Sequence, residues 1–202
     1  MTREEELEIV RQVQDGDSSA FESLVLSHQT KVYNLSLRMV GNEDDALDMA
    51  QESFIRAYNS IGSFRGDCRF SVWLYRLTTN ICLDFLRSES RKAHISLTYA
   101  EDDCERELEI PDERFSPQSE AERAELRAAV RRGMKHLPAD YRAILLLREI
   151  DGLSYDEIGK ALELEAGTVK SRIFRARKKL CEILLSDRNF SYTSESKERK
   201  EV

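Results

Sequence analysis

From Phe21 onward, Leu24, Val25, His28, Val32, Leu35 and Met39 recur at helical spacing, between Asp17, a good N-cap, and Gly41, a good stop. That pattern predicts one long amphipathic helix. A second begins near Glu43 and carries Leu47, Ala50, Phe54, Tyr58 and Ile61 on one stripe before Gly62 breaks it. A third runs from near Arg69 to about Arg87 with Leu74, Leu77, Ile81 and Phe85 inward. With a short helix over Glu4 to Gln14, these make a first helical domain, residues 1–92.

The pattern fails between Ala93 and Glu120. Glu101, Asp102, Asp103, Glu105, Glu107, Glu109, Asp112 and Glu113 crowd there with two prolines and no sustained period, the signature of a flexible acidic linker, residues 93–120. Helices resume over Ala121 to His136, stop at Leu137-Pro138, and restart from Ala139 to Glu149. Asp151-Gly152 then makes a turn, and Ser154 with Glu157 forms a capping box. The box opens a short helix to Leu162, and a longer one follows from Ala166 to Leu184. Residues 121–187 form the second domain, and 188–202 a polar tail.

The fold class is therefore all-α, two small helical domains joined by the linker. Charged residues at 34% with only 3 Pro and 8 Gly agree with it, since they favour helices over a turn-rich β architecture.

A short capped helix, a brief turn and a longer helix have the length and order of a helix-turn-helix. In the longer helix Val169, Ile173, Ala176 and Leu180 share one narrow face, which is the one to bury. Gly167, Lys170, Ser171, Phe174, Arg175 and Lys178 lie opposite. Cations, a hydroxyl and an aromatic on the N-terminal half suit a major groove, with Lys170, Ser171, Phe174 and Arg175 at base edges. Arg172, Arg177, Lys178 and Lys179 flank them at phosphate positions.

A net charge of -7 seems wrong for a nucleic-acid binder, but the charge is segregated. Acid collects in Glu4 to Glu8, Glu43 to Glu52 and the linker, while base collects around Arg87 to Lys92 and Lys170 to Lys179. Each block needs its own partner. On the third helix, Trp73, Arg76, Asn80 and Arg87 share a face, offering a stacking surface, two cations and an amide to a separated strand. Core packing is the competing role for Trp73.

Leu153-Ser154-Tyr155-Asp156-Glu157-Ile158-Gly159 followed by Gly167-Thr168-Val169-Lys170-Ser171-Arg172-Ile173-Phe174-Arg175-Ala176-Arg177 resembles region 4 of extracytoplasmic-function RNA polymerase sigma factors. Glu163 stands where that family has a turn glycine, and Glu165 where it has Ser or Pro. Phe64-Arg65-Gly66-Asp67, Phe70-Ser71-Val72-Trp73-Leu74-Tyr75-Arg76-Leu77, Asn80 and Asp84-Phe85-Leu86-Arg87 resemble region 2 of the same family.

The resemblance implies a sigma factor that binds core RNA polymerase and promoter DNA. Lys170, Ser171, Arg172, Phe174, Arg175 and Lys178 would read the −35 duplex. Phe70, Trp73, Arg76, Asn80 and Arg87 would hold the melted −10 strand, with the Gly66 to Phe70 loop as a base pocket. Asp48, Gln51 and Glu52 would meet the clamp helices of the largest polymerase subunit, and an anti-sigma factor is a further implied partner.

Nothing in the chain frames an enzyme. No nucleophile elbow, phosphate loop or metal-ligand spacing surrounds the 3 histidines and 4 scattered cysteines, so neither metal nor cofactor is expected. Cys68, in the loop, is the thiol with a conceivable redox input. No run approaches the roughly 20 apolar residues that span a bilayer, so a cytoplasmic protein with no membrane insertion is expected. A stand-alone helix-turn-helix regulator is the alternative reading, and a sequestering interaction protein is a third.

Overall fold

The computed structural model describes residues 2–95 and 117–186. Most of the acidic linker, Cys104 and the polar tail lie outside the described residues. Four helices form the first half: α1 (Arg3–Gln14), α2 (Phe21–Val40), α3 (Glu43–Ser60) and α4 (Phe70–Ile95). Four more form the second: α5 (Pro117–Lys135), α6 (Ala139–Leu145), α7 (Tyr155–Leu162) and α8 (Ala166–Ser186). Among the described residues there is no strand.

Local chemistry sets most of the boundaries. Thr2 and Glu5 close a capping box on α1, and Asn42 accepts from the Asp44 and Asp45 N–H groups at the start of α3. Glu43, Asp44 and Asp45 add negative charge to the positive end of that helix. Gly41, at φ 83°, ends α2 by donating its N–H to the Leu37 carbonyl. Asp17 caps a short 3-10 turn, Ser18–Ala20, that leads into α2. Helix α5 starts at Pro117 instead of near Ala121, because a proline fits the first helical turn, where an N–H has no partner. A single π turn, Leu146–Ile150, extends α6, with the Asp151 N–H reaching the Leu146 carbonyl.

Helix α3 turns a different face inward from the one its large apolar residues suggest. Ala46, Ala50, Ser53 and Ala57 are buried, whereas Leu47 and Tyr58 are exposed. Small side chains let α3 lie close against α2 and α4, and that close approach outweighs burial of the bulkier stripe. On α4, Leu74 and Ile81 are buried as expected, while Leu77 and Phe85 are half-buried. Val72, Tyr75, Cys82 and Leu83 are buried as well.

Their burial follows from where the second half sits. Leu35, Met39, Val72, Tyr75, Cys82 and Leu83 share one continuous apolar core with Leu145, Leu153, Ile158, Val169 and Ile173. Helix α4 is thus the spine of the molecule, with α2 and α3 on one flank and α6 and α7 on the other.

Candidate nucleic-acid interface

The helix-turn-helix is α7 and α8. Ser154 Oγ accepts from the Glu157 N–H, and Glu157 returns its carboxylate to the Ser154 N–H at 2.9 Å, which fixes where α7 begins. Burial alone would raise the Glu157 carboxyl. The Ser154 amide and hydroxyl, together with the Arg69 guanidinium, outweigh it and hold the group below its ordinary value.

The turn between the helices is tight. Leu164 donates its N–H to the Gly159 carbonyl at 2.8 Å, and a Cβ added to Gly159 would stand 2.8 Å from the Leu164 carbonyl oxygen. Position 159 therefore has to be glycine. Glu163 closes α7 at φ 54°, the sole non-glycine residue with positive φ among the described residues. The left-handed conformation that suits a turn glycine is here adopted by a glutamate, at a cost of about 1 to 2 kcal/mol.

Helix α8 buries Val169, Ile173 and Ala176, with Leu180 half-buried. Gly167, Lys170, Phe174, Arg175 and Lys178 are exposed, and Ser171 and Arg172 half-buried at its edge. The Phe174 ring is 70% exposed, which no packing role explains. Ser171 Oγ meanwhile donates to the Thr168 carbonyl within the helix. Arg177 pairs with Glu149 at 2.6 Å, which raises its guanidinium above the ordinary value and ties α8 to the π turn.

On α4 the chosen side chains divide. Asn80 and Arg87 are exposed and Arg76 half-buried. Phe70 and Trp73 are in the core, 1% and 5% exposed. Their rings stand 5.6 Å apart and both contact Phe64, at 5.8 and 5.3 Å between centroids. His28 adds a fourth ring, 5.5 Å from Phe70, with its Nε2 3.0 Å from Glu6 Oε1. This cluster supports the 64–70 loop from beneath, so in this conformation neither Phe70 nor Trp73 presents a face for stacking. Cys68 is half-buried, and burial pushes its thiol up, away from the reactive thiolate.

Helix α3 presents Asp48 and Gln51 outward with Glu52 at the edge, and the exposed Leu47, Ile55 and Tyr58 interleave with them. Glu52 is held by Arg56 at 2.7 Å. An acidic face with apolar residues set into it has the make-up of a protein-binding surface.

Several functional contacts have no signal in the sequence, because their partners are far apart along the chain. Arg142 is buried and donates to the carbonyls of Met134, Lys135 and Leu137 and, across to α2, to that of Met39. Burial lowers its guanidinium below the ordinary value. Arg69 meets Glu157, Arg76 meets Glu163, and Tyr75 meets Asp151.

The family comparisons fall on these two surfaces. Residues 24–92 match Sigma-70 region 2, and residues 127–180 match Sigma-70, region 4. The chain is 41% identical over 179 residues to the RNA polymerase sigma-H factor of Pseudomonas aeruginosa, covering 88% of this chain and 92% of that protein. It is 37% identical over 172 residues to the ECF RNA polymerase sigma factor SigW of Bacillus subtilis, covering 85% and 92%. The chain belongs to the ECF RNA polymerase sigma factors.

As a sigma factor it shares its fold with the Bartonella quintana sigma factor RpoE, solved with the anti-sigma factor NepR. That likeness has a TM-score of 0.62 at 23% identity, over 83% of this chain and 98% of that one. Region 4 of the sigma factor contains the α7–α8 helix-turn-helix, and region 2 contains α3 and most of α4. A stand-alone regulator would not account for the region 2 match. Among the described residues, no His, Cys, Asp and Glu group could hold a metal ion, and no helix is long and apolar enough to cross a membrane.

Proposed function

We propose that this sigma factor binds core RNA polymerase and directs initiation at promoters whose −35 and −10 elements it reads with α8 and α4. The observation that carries the proposal is the pairing, in one chain, of an exposed Phe174 among cations on α8 with an exposed amide and cation, Asn80 and Arg87, on α4. The first suits a duplex groove, where Phe174 can meet a thymine methyl and Lys170 or Arg175 a guanine edge. Ser171 completes the base-edge set, while Arg172 and Lys178 fix the register on phosphates.

The second surface suits a single strand, with Arg76 and Arg87 on the backbone and Asn80 on a base edge. Phe70 and Trp73 act by stiffening the 64–70 loop. The acidic face of α3, with Asp48, Gln51 and Glu52, docks on polymerase. The protein works by binding, with no bond chemistry of its own, in the cytoplasm beside its polymerase. An anti-sigma factor is a further partner, supported by the Bartonella quintana relative of the same fold.

Size-exclusion chromatography with purified core polymerase tests the docking. Co-elution of the wild type, and its loss on D48K/E52K, is expected. Co-elution unaffected by that charge reversal would remove α3 from the interface.

A further inference from the structure

Gln14, the last residue of α1, directs its side-chain amide at the backbone that leads into the 64–70 loop. Its Nε2 donates to the Ile61 carbonyl at 2.8 Å and to the Phe64 carbonyl at 3.0 Å. A carbonyl only accepts, so only the NH2 end of the amide can face this pair. Ile61–Ser63 is a 3-10 turn, closed by the Phe64 N–H on the Ile61 carbonyl at 3.0 Å. Phe64 then leaves the turn in an extended conformation, with its ring against Phe70 and Trp73. Gln14 thus ties together the two ends of the turn from which the loop departs.

Two other residues of α1 follow the same segment. Arg3 Nη2 donates to the Gly66 carbonyl at 3.4 Å. A Cβ added to Gly66, whose φ is +77°, would stand 3.4 Å from Leu7 Cδ2. Helix α1 is itself held firmly, since Val10 and Val13 are buried in one core with Phe64, Phe70 and Trp73. Gln14 is exposed. Its side chain therefore adds little to that core and acts on the loop through two backbone carbonyls.

Resting on the reading that the 64–70 loop holds a −10 base, we propose that Gln14 is a positioning residue for −10 recognition. It fixes the entry of the loop so that the base pocket keeps one shape. A pocket rejects the wrong base only while its polar groups stay where the right base needs them. Gln14 acts through the loop, without touching DNA. Once its amide is removed, the Phe64 to Gly66 backbone is free to shift and to accommodate competing bases.

The test is multiple-round transcription by the full chain with core polymerase on a barcoded promoter library. The library keeps one −35 element used by the wild type and randomises the −10 positions. Q14L removes the donor at nearly constant size, and Q12L changes an exposed residue of the same helix as a control. In Q14L the preference for the best base should fall about five-fold at one −10 position, with Q12L within about two-fold of wild type throughout. A second library randomised at −35 should return wild-type preferences for Q14L. Q14E, whose carboxylate cannot donate to a carbonyl, should repeat the loss, and it decides the matter should Q14L fail to fold.

Output lowered equally for every −10 sequence would make Gln14 merely structural and overturn the proposal. Relaxed preferences at −35 would do the same. A clear −10 preference in the wild type that both Gln14 variants retain removes the proposal and leaves the reading of the loop intact. Absence of any −10 preference in the wild type removes that reading and the proposal with it.

Discussion

The Tyr75 hydroxyl donates to Asp151 Oδ1 at 3.4 Å, across the seam between α4 and the turn that precedes α7. Burial first, and then the Asp151 charge, push the Tyr75 phenol well above its ordinary value of 10.0. A raised folded-state value means stability that is complete below about pH 10 and is lost as pH rises beyond it. In an alkaline titration followed by tyrosinate absorbance, Tyr75 should ionise in a late step, well above its ordinary value, together with opening of the seam. Y75F should abolish that late step; a late step that persists would place it on another tyrosine.

Asp151 is raised too, chiefly by burial, against the pull of Arg38, Lys31 and the Tyr75 hydroxyl. Its ionised form is therefore disfavoured by folding, and stability falls as pH rises above its ordinary value of 3.8. D151N should keep an acceptor for Tyr75 and leave the melting temperature at pH 7 equal or higher. A lower melting temperature would mean that the Arg38 and Lys31 attraction outweighs burial.

Neighbouring residues on α8 should respond in opposite ways. I173A removes a core side chain and should cost about 2 to 4 kcal/mol in urea unfolding. F174A, at an exposed site, should change stability by no more than about 0.5 kcal/mol. It should instead weaken −35 recognition in the holoenzyme. Loss of stability in F174A would show the ring packing somewhere in solution.

The helix-turn-helix was legible because its signals are local: a capping box at Ser154 and Glu157, and apolar residues at Val169, Ile173 and Ala176. The face of α3 was not. Leu47 and Tyr58 carry more apolar surface than Ala46 and Ala57, and only the closeness of α2 and α4 decides for the small residues. Trp73 was open to two roles on sequence grounds because its helical face also carries Arg76 and Asn80. Phe64 and Phe70 draw it into the core. The seam between the halves could not be read at all, since Arg142 and Met39 lie 103 positions apart.

Arg142 is a pin for that seam. Its guanidinium donates to carbonyls in the last turns of α2 and α5, where a helix leaves acceptors over, and the Met134 carbonyl accepts from the Leu137 N–H as well. R142A should destabilise the chain by about 3 kcal/mol or more, because buried acceptors lose their donors. R142K should recover only part of this, having a point charge in place of a planar fork. Full recovery by lysine, judged by urea midpoint, would reduce the role to charge alone.

The account is tested most directly by multiple-round transcription from a promoter library randomised at the −35 and −10 elements, with core polymerase and the wild type, F174A or N80A. The wild type should initiate from a restricted promoter set, F174A should relax discrimination only at −35, and N80A only at −10. No initiation above core polymerase alone, or relaxation of the same element by both substitutions, would contradict a two-site grip by α8 and α4.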